Sequence, residues 1–222
     1  MLETEAVFLG FFVQTSRSCG PSRGGYNRRI MDPLARLLGS PARLKLLRLF
    51  LFNDDLSFTL ADISFRTKTP KDAVRKELTT LVASGVVRKK AGKGAVQYTA
   101  SQKFPYYDAL QTFIRSTTNL GDADMVSSIK RAGNVRLVVL SGLFTGAVET
   151  KVDLLVVGDK LEDRPLDAAV RTLEAELGRE LRFASFSTED FKYRRGVYDR
   201  LLRDIFDFPH RILLDKVGMA QN

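Results

Sequence analysis

Between Thr59 and Ser101 the chain reads TLADISFRTKTPKDAVRKELTTLVASGVVRKKAGKGAVQYTAS, and this stretch leaves the backbone few options. Thr59 is a helix cap placed before Leu60, Ile63 and Phe65, which supply one apolar side. Arg66-Thr67-Lys68 reads as a turn. Thr69-Pro70 repeats the pattern of a cap followed by proline at the first helical position, and Asp72 sits in the first turn, where the helix dipole favours an acid. Over Pro70–Ser84, Val74, Leu78, Leu81 and Val82 form one stripe. Lys71, Arg75 and Thr79 fall on another face, with Lys68 and Lys76 nearby. Gly85 ends the helix. Val86–Lys90 and Ala95–Thr99 are strand candidates joined by Ala91-Gly92-Lys93-Gly94, a hairpin whose basic residues Arg88, Lys89, Lys90 and Lys93 lie on its arm and tip. Helix, turn, helix and basic ribbon, in that order, suit a module that sets one helix in a DNA groove and lays the ribbon on the backbone beside it.

The flanking sequence extends this unit. Leu34, Leu37 and Leu38 precede a break at Gly39-Ser40-Pro41. Ser40 then caps a helix carrying Leu44, Leu46, Leu47, Leu49 and Phe50 at helical spacing. Pro105–Thr117 reads as a helix with Tyr106, Leu110, Phe113 and Ile114 on one side, and Ser116–Asp122 as a linker. Beyond it, helices and apolar strands alternate: helix Asp124–Ala132, strands Val135–Leu140 and Val152–Val157, helix Leu166–Leu177 with Ala168, Ala169, Leu173 and Leu177 in register, strand Leu181–Phe186, helix Phe191–Phe206, and a short strand Arg211–Leu214. The expected fold class is α+β. A DNA-binding domain over residues 32–103 is followed by a linking or dimerisation helix over 104–120, and a small α/β domain on a mixed sheet covers 121–222. Residues 1–31 read as a disordered extension. The apolar run Ala6–Val13 is preceded by Glu3 and Glu5 rather than by the basic residues of a signal peptide, and Met31 before Asp32-Pro33 reads as an alternative start.

Charge points the same way as the ribbon. Thirty-five Lys and Arg against 26 Asp and Glu give +9, a balance that favours a polyanionic partner. One cysteine, Cys19, and one histidine, His210, leave no disulfide framework and no Cys/His metal cluster, so no metal or other cofactor is expected. No apolar run reaches the length of a membrane span, and a cytoplasmic location without membrane contact is expected.

The segments LLGSPARLKLLRLFL, LADISFRTKTPKDAVRKELTTLVASGVVRKK and GAVQYT together resemble the winged helix-turn-helix domains of prokaryotic transcription regulators of the ArsR/MarR-like superfamily, over about Asp32–Thr117. The resemblance implies binding to double-stranded DNA as a homodimer, with Pro105–Thr117 as the dimer element. Lys68, Thr69, Lys71, Arg75 and Lys76 would contact bases and phosphates, and Arg88, Lys89, Lys90 and Lys93 would grip backbone. Metal sensing does not carry over, because this stretch has no Cys or His.

The second half resembles the minimal nucleotidyltransferase family around RLVVLSGLFTGAVETKVDLLVVGD. In that family a Gly-Ser turn binds nucleotide phosphates, and three acids hold two divalent ions that bridge the attacking and leaving oxygens. Gly142 matches the turn glycine, Leu143 replaces the serine, Lys151 replaces the first acid, and Asp153 matches the second. Leu181–Phe186 carries no third acid. The resemblance therefore implies a catalytically degenerate domain rather than an enzyme. Gly142, Lys151 and Asp153 form a candidate cleft for a nucleotide or another small anion, unless the domain serves only packing and dimerisation. The alternatives are an active nucleotidyltransferase with a winged-helix targeting module, and an interaction protein whose winged helix makes protein contacts.

Overall fold

The computed structural model describes residues 32–92, 94–118, 120–146 and 150–219. The expected N-terminal extension and the ribbon-tip Lys93 lie outside them. The described part is mixed α+β, with one three-stranded and one four-stranded sheet.

Helix α1 (Pro33–Leu37) starts at Asp32, whose carboxylate accepts from the Leu34 N–H. Ser40 caps α2 (Pro41–Phe52), which buries Leu44, Leu46, Leu47, Leu49, Phe50 and Leu51. Strand β1 (Phe58–Thr59) leads into α3 (Leu60–Thr67) through a full capping box. The Thr59 hydroxyl accepts from the Asp62 N–H, and the Asp62 carboxylate accepts from the Thr59 N–H at 2.9 Å. The Thr59 hydroxyl bond, followed by the Thr59 backbone bond, holds the Asp62 carboxyl below its ordinary range. Replacing Thr59 by alanine is expected to cost about 1 kcal/mol, read as a lowered midpoint in urea with an unchanged slope.

Two local expectations fail here. Arg66 and Thr67 belong to α3 rather than to a turn, because the buried Thr67 hydroxyl donates back to the Ile63 carbonyl at 2.6 Å and keeps the helix closed. Thr69 does not cap the next helix. It is buried, its hydroxyl donates to the Thr67 carbonyl, and Pro70 stands in the capping position before α4 (Lys71–Ala83).

Strands β2 (Val87–Ala91) and β3 (Val96–Ala100) pair antiparallel from Val87–Ala100 to Ala91–Val96, and β1 adds to the far side of β3. Helix α5 (Tyr107–Thr117) returns across α2. Its inward side is set by Tyr107, Leu110 and Ile114. Tyr106 and Phe113, expected on that side, face outward at 70% and 40% exposure. The Tyr107 hydroxyl donates to Asp54 at 3.1 Å, and burial together with that carboxylate pushes its pKa up to about 12.

The second sheet has the order β6-β5-β4-β7. Strand β4 (Asn134–Leu140) pairs antiparallel with both β5 (Leu154–Asp159) and β7 (Arg211–Asp215), while β6 (Phe183–Phe186) runs parallel to β5. Because β4 and β5 are buried on both faces, they read as continuous apolar runs. Val138, Leu140, Leu154 and Val156 face α6 (Asp122–Ile129) and α7 (Asp163–Leu177). Leu137, Val139, Leu155 and Val157 face α8 (Thr188–Gly196) and α9 (Arg200–Phe206). The single helix expected over Phe191–Phe206 is thus two, divided where Tyr198 takes a left-handed φ of 54° and Asp199 caps α9 through the Leu201 N–H.

Helix α7 packs on its sheet by one face and on α2 and α3 by the other. The buried Arg48 on α2 donates to the Glu176 carbonyl, to the Thr118 hydroxyl and to Asp32, each within 3.0 Å. Asn53 donates to the Gly178 carbonyl at 2.7 Å, Lys45 pairs with Glu176 at 2.9 Å, and Arg66 pairs with Glu180 at 2.6 Å. Among the described residues no helix is long and apolar enough to cross a membrane.

Candidate nucleic-acid interface and the Asp153 turn

Val74, Leu78 and Leu81 fix α4 to the core, and the buried Glu77 joins them through an ion pair to Arg43 at 2.8 Å. This anchoring turns Lys71, Arg75, Lys76, Thr79 and Thr80 to solvent. Arg75 pairs with Asp72 one turn earlier on the same helix. Beside α4, the β2–β3 ribbon exposes Arg88, Lys89 and Lys90. Among the described residues, Lys71, Lys76, Arg88, Lys89 and Lys90 have no carboxylate within ion-pair distance. In the second half Arg136, Arg182, Arg194, Arg203 and Arg211 each pair with an aspartate. Among the described residues, five cations without a carboxylate partner thus lie together on one helix and its neighbouring ribbon, while others such as Arg115, Arg179 and Arg200 are scattered elsewhere.

Lys68 and Thr69 stand apart from that group. Lys68 ends α3 in the left-handed conformation at φ 49°, and its Nζ donates to the Ala168 carbonyl and to the Thr172 hydroxyl on α7, at 3.2 and 2.7 Å. The Thr69 side chain is turned inward. Both serve the seat of α3 on its neighbours.

Gly142 and Asp153 are brought together, and the space between them is filled. Gly142 has φ +49°, and a Cβ there would collide with Asp153 Oδ1 and come within 2.8 Å of the Thr150 hydroxyl. The buried Asp153 carboxylate accepts four bonds: from the Leu143 N–H at 2.8 Å, the Arg182 N–H at 3.0 Å, and Arg182 Nε and Nη2 at 3.0 and 2.8 Å. Burial alone would raise its pKa. The Arg182 guanidinium, then the two backbone donors, outweigh that and hold the carboxyl below its ordinary value. Arg182 is not singled out by the sequence. It reaches Asp153 because the parallel register of β5 and β6 sets Leu154 opposite Phe183, leaving the two preceding residues side by side. Lys151 is exposed. Among the described residues no three His, Cys, Asp or Glu side chains are grouped to hold a metal ion.

No protein-family model matches the sequence, and no curated protein matches it. Among solved structures, reduced HlyU from Vibrio cholerae is similar at 22% identity over 37% of this chain and 79% of HlyU, with a TM-score of 0.30.

Proposed function

We propose that this protein is a DNA-binding transcriptional regulator that uses residues 32–103 as a winged helix, with α4 in the major groove and the β2–β3 ribbon along the backbone. The observation that supports this reading is the set of uncompensated cations on α4 and the ribbon. Phosphates would satisfy charges that no carboxylate of the described chain does. Exposed Tyr106, just before α5, and Phe113 on it favour pairing of two copies, which suits a two-fold-related DNA site. In this reading the α/β half is a nucleotidyltransferase-like domain without catalysis. Support comes from Asp153, whose oxygens are both bonded to Arg182 rather than open to an ion.

The test is fluorescence anisotropy with a labelled duplex from upstream of the protein's own coding sequence. Binding should weaken steeply with salt. Replacing Lys89 and Lys90 together by alanine should weaken binding to all sequences and reduce the slope of log K against log salt by about 2, roughly 0.9 for each phosphate no longer neutralised. Arg75→Ala should instead relax sequence preference. No binding at low salt would sink the proposal. Asp153-dependent transfer from labelled nucleoside triphosphate with Mg²⁺ or Mn²⁺ would overturn the non-catalytic reading of the second half.

A further inference from the structure

A cleft of about 290 Å³ opens where the end of α2, the end of α5, α6, the turn after β4 and the end of α7 meet. Its floor is apolar, with Phe52, Phe144 and Leu177 among its residues, and its rim carries three guanidiniums, Arg115, Arg179 and Arg211. No carboxylate is among its described lining residues. Asp122 accounts for Arg211, at 3.0 Å. Among the described residues the Arg115 guanidinium makes no hydrogen bond or ion pair, and the Phe52 ring lies 5.9 Å from it. Arg179 makes no hydrogen bond or ion pair among the described residues, although it follows α7 directly and stands beside the buried Leu177.

Two exposed guanidiniums that make no ion pair among the described residues, in a cleft also lined by Phe52, Phe144 and Leu177, suit a ligand with one oxyanion and a hydrocarbon body. The planar fork of arginine suits a carboxylate in particular. The volume lies at the small end of ligand sites. We propose that the cleft binds a small amphipathic carboxylate, its head held by Arg115 and Arg179 and its chain laid on Phe52, Phe144 and Leu177. Gly142 and Asp153 do not line the cleft, although Leu143, whose N–H donates to Asp153, does, and the proposal does not depend on the DNA-binding reading.

The test is calorimetric titration of the full chain with octanoate, octan-1-ol, octylamine and acetate. Octanoate should bind saturably with one site and raise the unfolding temperature. Octan-1-ol and octylamine lack the carboxylate, acetate lacks the chain, and each should bind at least about tenfold more weakly. Replacing Arg115 and Arg179 together by alanine should weaken octanoate at least about tenfold, while the distant exposed Arg200→Ala leaves it unchanged. Arg179→Gln keeps much of the size and polarity of the side chain and should show the same direction of loss, so the proposal stays testable even if the double variant folds poorly. Equal binding of octanoate and octan-1-ol, equal binding of octanoate and acetate, no octanoate binding, or full retention of affinity in Arg179→Gln would each overturn the proposal. Any of these would leave the anisotropy experiment on DNA unaffected.

Discussion

An Asp153→Ala variant is expected to unfold roughly 6–12 °C below the parent protein, the shift that about 3 kcal/mol produces in a chain of this size. The cost arises inside the turn. Without the carboxylate, the Leu143 and Arg182 N–H groups lose their acceptor beside a buried strand, and each orphaned donor costs about 1–3 kcal/mol. The guanidinium matters less, because the Arg182 side chain is 54% exposed and water screens its attraction. Arg182→Ala is therefore expected to cost about 1 kcal/mol, and a loss equal to that of Asp153→Ala would refute this division of roles. The pH dependence follows from the depressed pKa. The folded carboxyl titrates below its ordinary value of 3.8, so its contribution is present above about pH 4 and is lost as pH falls through the folded value. Urea unfolding at several pH values should show the parent losing stability in that acid window, with Asp153→Ala losing less over the same window.

Gly178→Ala is expected to be comparably damaging, by about 2–4 kcal/mol, although it adds one methyl group. Gly178 ends α7 at φ +74°, where an L side chain is strained. The added Cβ would stand 2.5 Å from the Arg48 carbonyl carbon and 2.7 Å from the Leu49 nitrogen, both backbone atoms of α2. A helix backbone cannot yield as a flexible side chain would, so α2 and α7 would have to separate. Separation would also stretch the Asn53 bond to the Gly178 carbonyl and the Arg48 bond to the Glu176 carbonyl. Thermal unfolding should show the lowered midpoint. Hydrogen exchange should show faster opening of α7 and the C-terminal turn of α2 than of β4 and β5.

Structure is legible in the sequence where its causes are local. Ser40 and Thr59 announce their helices, because a cap needs only a side-chain oxygen and the next three residues. The apolar runs of β4 and β5 announce a strand pair buried on both faces. Thr69 misleads because the same cap signature serves a hydroxyl that turns inward once α3 keeps Thr67 in its last turn. Periodicity finds Leu110 and Ile114 on the inward side of α5 but adds Tyr106 and Phe113, each one position too early. Tyr106 and Tyr107 are both aromatic, and only the packing against α2 decides which of them turns inward. Arg48 looks like one of the solvated cations of an amphipathic helix, yet it is buried, because its three acceptors lie at Asp32, Thr118 and Glu176. Arg182 is equally invisible, since its tie to Asp153 depends on strand register. For the basic surface, the sequence offers its residue types, but only the fold shows that Lys71, Lys76, Arg88, Lys89 and Lys90 lack carboxylates among the described residues while Lys68 is engaged by α7.

The outer face of α7 has a consequence for recombination between genes. Arg171 lies against the Phe65 ring at 5.5 Å, and two small residues stand where the end of α7 meets α2: the buried Ala175, and Gly178. Their spacing of three residues keeps them on one helix side. A crossover near residue 120 that exchanged the second half for a foreign one would inherit a size limit at those two positions. Only an incoming helix with small residues in that spacing could dock, so the partners available to this N-terminal half are filtered by the girth of a helix that makes none of the proposed DNA contacts.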